Sequence, residues 1–206
     1  MLYLDIDLHH GDGVELAFAS SPFILTLSVH LHAPLFFPAS GALGATGPVP
    51  PSKAAFHALN AALHPGLSSE NLIRVFENCV EPVVEAYGPD CVVVQCGCDG
   101  LAGDPCAEWA LGLEGIGEVV RRVVGWGKRV LLLGGGGYDH PNAARCWAYL
   151  TSVAVSGVRL RPELLVRALV ADHRVAYVHS WGGRCRSRRT FHPTWTSTNS
   201  LGRRSR

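Results

Sequence analysis

No apolar run in the sequence reaches the ~18–20 residues that a membrane-spanning helix needs. The start carries no basic segment followed by an apolar core, so no targeting signal can be read there either. Charge is scarce: 17% of the 206 residues are charged and 48% are hydrophobic. That balance excludes a disordered chain and leaves enough apolar mass for a sizeable core. Paired C-x-x-C spacing is missing. The seven cysteines (Cys79, Cys91, Cys96, Cys98, Cys106, Cys146 and Cys185) are odd in number and scattered through apolar segments, which excludes a zinc ribbon and suits reduced thiols in an intracellular protein. Internal repeats are absent. Acidic residues are absent after position 181, and this hides behind a net charge of +1. Residues 1–181 hold 11 basic and 17 acidic residues, a net −6, whereas residues 182–206 hold seven arginines and no acid, a net +7. A mildly acidic body with a basic tail is not a uniformly basic nucleic-acid binder, and no sequence-specific nucleic-acid contact is expected.

What is present reads as alternating strands and helices. Met1–His9 alternates from its first residue, with Leu2, Leu4, Ile6 and Leu8 on one side and Tyr3, Asp5, Asp7 and His9 on the other, which predicts a strand over 1–8. A short helix at about 14–20 and a strand at Phe23–Val29 follow. Residues 33–51, rich in Pro, Gly, Ala and Ser, predict a long surface loop, and such loops are often functional. A helix begins after Ser68-Ser69 and stops at Gly88-Pro89, with a kink expected at Pro82. Cys91–Cys96 and Arg129–Leu133 read as buried strands. Leu113, Ile116, Val119, Val120 and Val123 trace a helix ended by Gly125 and Gly127, and a last helix runs from about Pro141 to Ser156. Strands that are apolar runs, alternating with helices, predict an α/β fold with an open parallel sheet flanked by helices on both faces. This body covers 1–156. Residues 157–181 form an uncertain stretch with a possible helix and strand, and 182–206 a basic disordered tail.

Open parallel sheets bind ligands outside the carboxyl ends of their strands, so the residues leaving each strand carry the chemistry. Three strand ends stand out: Asp5–Gly13, Gly97-Cys98-Asp99, and Gly134–Gly137 with Tyr138. Alternation along a strand sends Asp5, Asp7 and His9 to one face. Two carboxylates and an imidazole there repel and titrate awkwardly unless a cation sits among them. Asp7, His9 and Asp99 offer one nitrogen and two carboxylate oxygens, with a place left for water, which is the ligand count of a catalytic zinc site. The alternative is that these residues cap a turn; five polar groups in eight residues are hard to bury on that reading. The four glycines lack the G-x-G-x-x-G and G-x-x-x-x-G-K-[ST] spacings, so a phosphate loop is disfavoured. They allow close backbone approach instead, and place Tyr138 at the rim of a narrow site, where a phenol can donate to a developing oxyanion.

The run Tyr3–Glu15, then Phe36-Phe37-Pro38, then Gly97-Cys98-Asp99 with Gly103-Asp104-Pro105, then Gly134–Tyr138 with Ala144–Trp147, resembles the class I histone deacetylases, in flavour the deacetylase-8 branch and its fungal relatives. The resemblance covers about residues 1–156 in the family's order. It implies an arginase/deacetylase-like fold and hydrolysis of the acetyl-lysine amide in histones or other proteins. Asp7, His9 and Asp99 would hold Zn²⁺, and Tyr138 would stabilise the oxyanion. Phe37, Cys106 and Gly136 would line the acyl-lysine tunnel. A structural K⁺ is expected near the zinc, through the side chains of Asp5 and Ser28 and backbone carbonyls of Asp7, His9 and Val29, with a second K⁺ on carbonyls around Phe18, Ser21 and Ile24. Acetylated histone tails or other acetylated proteins, a corepressor complex, and a nuclear, partly cytoplasmic, location follow from the same resemblance.

Family members carry, ahead of this first strand, a tandem histidine pair that serves as general base and acid, oriented by the residues matching Asp5 and Asp12. That pair does not occur in this sequence. The expectation is therefore the C-terminal portion of a catalytic domain, its N-terminal part missing, as a fragment or an aberrant gene model impaired in hydrolysis. His10 is turned away by alternation, and His30, His32 and His57 read as surface or loop histidines. Three rivals stay open. A binuclear manganese ureohydrolase lacks its second carboxylates here, since Gly11 and Leu101 stand where they are needed. An acetylpolyamine deacetylase is disfavoured by Asp12. A non-catalytic pseudo-deacetylase or corepressor-interaction fragment is favoured by the missing histidine pair.

Overall fold

Five parallel strands in the order β3-β2-β1-β4-β5 carry residues 1–156, the part of the chain described in the computed structural model. The expectations for residues 157–181 and 182–206 lie outside the described residues. The elements run β1 (Leu2–Asp5), α1 (Asp12–Phe18), β2 (Leu25–Leu31), β3 (Ala58–Leu63), α2 (Ser69–Val75), α3 (Glu81–Tyr87), β4 (Cys91–Gln95), α4 (Leu113–Gly125), β5 (Arg129–Leu133) and α5 (His140–Ser156). The α/β architecture is the expected one, an open parallel sheet with helices.

The central strands are apolar because both their faces are covered. Every residue of β1 and β2 is buried, and Leu2, Leu4, Val29, Val92 and Val94 are at most 1% exposed. Each such side chain contributes roughly 1.5–3 kcal/mol relative to exposure. Helix α4 buries Ile116, Val119, Val120 and Val123 and packs against α2 and α5. At the α4–α5 crossing, Gly117 leaves room for the ring of the buried Tyr149.

Two local expectations are corrected, and one strand was not foreseen. Strand β1 ends at Asp5, not at residue 8. Strand β5 is an edge with Arg129, Leu131 and Leu133 exposed, not a buried strand. Strand β3, Ala-Leu-Asn-Ala-Ala-Leu, has no strand signal in its composition, since alanine and asparagine are poor strand formers. Its pairing with β2 overrides that preference.

Around Pro82 the single kinked helix resolves into α2, a five-residue π-helical segment Phe76–Val80, and α3. Proline has no N–H and its ring collides with the carbonyl four residues back. The wider turn absorbs that conflict without ending the helical path. The path starts on Ser68, whose side chain accepts the Asn71 N–H, and stops at Gly88 in the left-handed conformation. All six described cysteines are free, and among the described residues no helix is long and apolar enough to cross a membrane.

Candidate metal centre

Strands β2 and β3 lie to one side of β1, and β4 and β5 to the other, so strand order reverses between β1 and β4. The crevice outside the carboxyl ends of such a pair is where open α/β sheets bind ligands. A polar row crosses the sheet just before that edge, with Asn60, Ser28, Asp5 and Gln95 as successive register partners.

Beyond Asp5 the backbone leaves the ladder because side chains capture it. Asp5 Oδ1 accepts the Asp7 N–H (3.0 Å), and Asp7 Oδ1 accepts the His9 N–H (2.9 Å). Two successive Asx-type turns of this kind outcompete strand pairing. The turns, not strand alternation, bring Asp7 and His9 to the same place. From β4, Asp99 meets them: its Oδ1 accepts the Leu8 N–H (3.0 Å) and its Oδ2 stands 2.9 Å from His9 Nδ1, which is also 3.2 Å from Asp7 Oδ1. Asp7 and Asp99 are buried and His9 is partly exposed at the floor of an open cavity of about 230 Å³. Asp5, Gly11, Phe37, Gln95, Gly136 and Tyr138 line its walls.

Charge in this cluster is shared unevenly. Burial alone would raise the Asp7 carboxyl, but hydrogen bonds from the His9 ring and N–H, Gln95 Nε2 (2.9 Å) and the Gly136 N–H (2.7 Å) hold it well below the ordinary carboxylate range. Burial raises Asp99 and pushes Asp5 up to about 7. Hydrogen bonds to Asp7 and Asp99 push the His9 imidazole up to about 9. The protonated ring thus balances two buried carboxylates, the place a metal cation would take. One imidazole nitrogen and two carboxylate oxygens fit a divalent ion of the zinc type by donor chemistry.

Two residues given no site role from the sequence hold this geometry. Gln95 bridges Asp7 Oδ2 and the Gly97 N–H, which donates to Gln95 Oε1 at 2.6 Å. Its signal was a polar residue inside the apolar run Cys91–Cys96. Asp104, buried, accepts the N–H groups of Cys106 (2.9 Å), Tyr138 (2.8 Å) and Asp139 (3.3 Å), stapling the loop after β4 to the loop after β5. The glycines have a steric reason: a Cβ on Gly97 would overlap Asp7, and one on Gly136 would overlap Asp99.

The remaining expected residues are placed as follows. Tyr138 is 54% exposed, with its ring edge-on to His9 at 6.4 Å. Phe36 stacks on His9 at 5.0 Å and Phe37, exposed, meets it edge-on at 6.0 Å. Cys106 is half-buried, and donor atoms of His9, Asp99 and Cys106 all lie within 4.8 Å of one another. Asp12 is exposed on the first turn of α1 and is not part of the cavity wall. Asp5 and Ser28 are register partners beside Val29, and Ser28 Oγ accepts the Gly11 N–H (3.3 Å). At the second expected potassium position the Phe18 carbonyl accepts the Ser21 N–H (2.8 Å).

His10 touches the cavity, yet both its ring nitrogens are engaged, with Ser40 Oγ (2.9 Å) and Glu15 Oε2 (3.0 Å). His30 corrects the surface reading. It is fully buried in β2, with Nδ1 2.9 Å from Ser28 Oγ and Nε2 2.9 Å from the Gly41 carbonyl.

Residues 1–154 match the histone deacetylase domain family. The chain is 37% identical over 186 residues to histone deacetylase 8 of Xenopus laevis, covering 90% of this chain and 56% of the relative. It is 38% identical over 164 residues to histone deacetylase 8 of Danio rerio (80% and 42%), and 40% identical over 155 residues to histone deacetylase 6 of Arabidopsis thaliana (75% and 32%). It thus spans about half the length of the histone deacetylase 8 relatives it matches.

Proposed function

The chain belongs to the histone deacetylase domain family, and from that premise we propose that its cavity belongs to a zinc-dependent hydrolase of acetyl-lysine amides in histones or other proteins. The observation that carries the reading is the meeting of Asp7, His9 and Asp99 around His9 Nδ1 at the strand-order reversal. These three residues would hold Zn²⁺. When bound, the ion supplies a Lewis acid that polarises an amide carbonyl and lowers the pKa of water.

The chain's own residues do the rest. Tyr138 presents a phenol beside the centre, and burial together with the nearby Asp99 and Asp7 charges keeps that phenol protonated through neutral pH, able to donate to an oxyanion. Phe37, with Phe36 stacked behind it on His9, offers an apolar wall suited to the methylenes of a lysine side chain. Asp5 and Ser28, with the carbonyls of Asp7, His9 and Val29, supply the oxygens a potassium ion would use, and such an ion would compensate the buried Asp5. Substrates in this reading are acetylated histone tails or other proteins, in a nuclear or nucleocytoplasmic setting and within a corepressor assembly.

A second reading is favoured by one observation. His10, which follows the metal-binding His9, spends both ring nitrogens on Ser40 and Glu15 and has none left to take a proton from water. On that reading the chain binds metal and substrate but turns over slowly, or serves as a non-catalytic interaction fragment. Elemental analysis of the 206-residue chain combined with acetate release from an acetyl-lysine peptide separates the two. Near-stoichiometric zinc with turnover supports the hydrolase; zinc without turnover supports the fragment; no zinc in the wild type overturns both.

A further inference from the structure

We propose that Glu15 is a positioning residue of the aromatic wall: its carboxylate, acting through His10 and Asn60, fastens the loop that carries Phe36 and Phe37 so that the two rings face the cavity; the inference rests on the acyl-lysine reading above. Helix α1 buries none of its seven residues, yet the Glu15 side chain is only 20% exposed. Apolar packing of the helix therefore does not explain where that carboxylate lies. Its Oε2 stands 3.0 Å from His10 Nε2 and 2.9 Å from Asn60 Nδ2. A carboxylate can only accept, so both partners donate. Burial alone would raise this carboxyl, but the two hydrogen bonds hold it below its ordinary value.

Each partner passes the hold on to the loop. His10 Nδ1 is 2.9 Å from Ser40 Oγ, and Asn60 Nδ2 donates to the Ala45 carbonyl at 2.9 Å as well as to Glu15. Because Glu15 and Ala45 both present acceptors, the Asn60 amide must turn its N–H groups towards them. Its own Oδ1 is buried without a hydrogen-bond partner among the described residues, so the amide serves the loop at the expense of its oxygen.

Between these two anchors the backbone passes closely over a pair of imidazoles. Gly41 is left-handed at φ 75°, its carbonyl accepts from His30 Nε2 (2.9 Å), and a Cβ there would overlap the rings of both His30 and His10. Leu35 and Ala39, on either side of the two phenylalanines, are also left-handed, at φ 65° and 61°. Residues other than glycine keep that conformation only where surrounding contacts impose it. The loop so held lays Phe36 flat on His9 and sets Phe37 in the cavity wall. Glu15 does not line the cavity itself and acts on the wall through the loop.

Amide hydrogen exchange and ligand binding on the 206-residue chain test this. Glu15→Ala removes the acceptor, Glu15→Gln keeps an oxygen able to take both N–H groups, and Ser40→Ala cuts the His10 link alone. Glu85→Ala removes the same charge from an exposed position of α3. In metal-free Glu15→Ala the amides of residues 35–45 should exchange about tenfold faster or more, with those of β1, β2 and β4 unchanged. Zinc affinity should stay as in the wild type. The affinity of the zinc-loaded chain for an acetyl-lysine peptide should fall about tenfold, whereas that for acetate, too short to lie along the wall, should not move. Ser40→Ala should change in the same direction by less, Glu15→Gln should restore most of the loss, and Glu85→Ala should match the wild type.

Loop exchange at the wild-type rate in both Glu15→Ala and Ser40→Ala overturns the proposal. Faster exchange spread through the sheet, or peptide and acetate affinities that fall together, gives Glu15 a merely structural role and overturns it too. So does a loosened loop with unchanged peptide affinity. A wild type that takes up zinc but binds no acetyl-lysine peptide overturns the acyl-lysine reading and the wall's substrate role with it, and is told apart from these outcomes because the exchange comparison needs neither metal nor peptide.

Discussion

The backbone N–H of Gly136 meets Asp7 Oδ2 at 2.7 Å, joining the loop after β5 to the loop after β1 across 129 positions of sequence. Only a residue without a side chain can come so close, because a Cβ there would overlap the Asp99 carboxylate. Gly136→Ala should destabilise the metal-free protein by about 1–3 kcal/mol and weaken metal binding. Gly134→Ala, where the nearest atom is the Trp147 ring at 3.4 Å, is the control. Urea denaturation with and without metal measures both.

If the centre takes a metal as proposed, protons and metal compete for His9. Its imidazole is raised to about 9 by Asp7 and Asp99, so the folded metal-free chain holds a proton that the unfolded chain releases near 6.5. The stability this contributes is complete below about pH 6.5 and is lost as pH rises through 9. Metal ligation requires the neutral ring. Metal affinity should therefore climb with pH up to about 9 while metal-free stability falls. Thermal melts and zinc titrations from pH 6 to 9.5 check the opposed slopes; parallel slopes would sink the assignment of His9 as a ligand.

His30 sets the opposite limb. Burial, with repulsion from His10 added, lowers it to about 4, so the folded chain excludes a proton that the unfolded chain takes up. Its contribution is present above about pH 6.5 and lost as pH falls towards 4. The Gly41 carbonyl can only accept, which places the proton on Nε2 and leaves Nδ1 to accept from Ser28. Nitrogen-15 shifts of the His30 ring should show that tautomer unchanged from pH 8 to 5. His30→Gln should flatten the acid limb of stability while costing about 1–3 kcal/mol at neutral pH.

What the sequence made legible follows from how locally each feature is encoded. Strands β2 and β4 could be read because a central parallel strand is apolar on both faces. Strand β3 could not, since its alanines say nothing until Asn60 and its neighbours take their register beside β2. The meeting of Asp7, His9 and Asp99 was legible, although strand alternation was the wrong geometry and side-chain turns were the right one. Asp104 organises the centre through N–H groups 34 and 35 positions away, and His30 is buried by a loop that begins after β2. No periodicity encodes either relationship.

Asp5 is the residue at which charge and ion occupancy can be told apart. Burial pushes its carboxyl up to about 7, and the neighbouring Asp7 and Asp99 charges add to that. A carboxyl that folds protonated contributes stability that is complete below about pH 4 and is lost as pH rises through 7. By alkaline pH that loss amounts to about 4 kcal/mol at most. Asp5→Asn keeps an oxygen for the Asp7 N–H at 3.0 Å and carries no charge. In potassium-free buffer at pH 8 the variant should therefore be the more stable protein. Adding potassium should stabilise the wild type and leave Asp5→Asn unmoved, narrowing or reversing the gap. Urea midpoints in matched sodium and potassium buffers measure it; equal responses of the two proteins would remove Asp5 from the potassium reading.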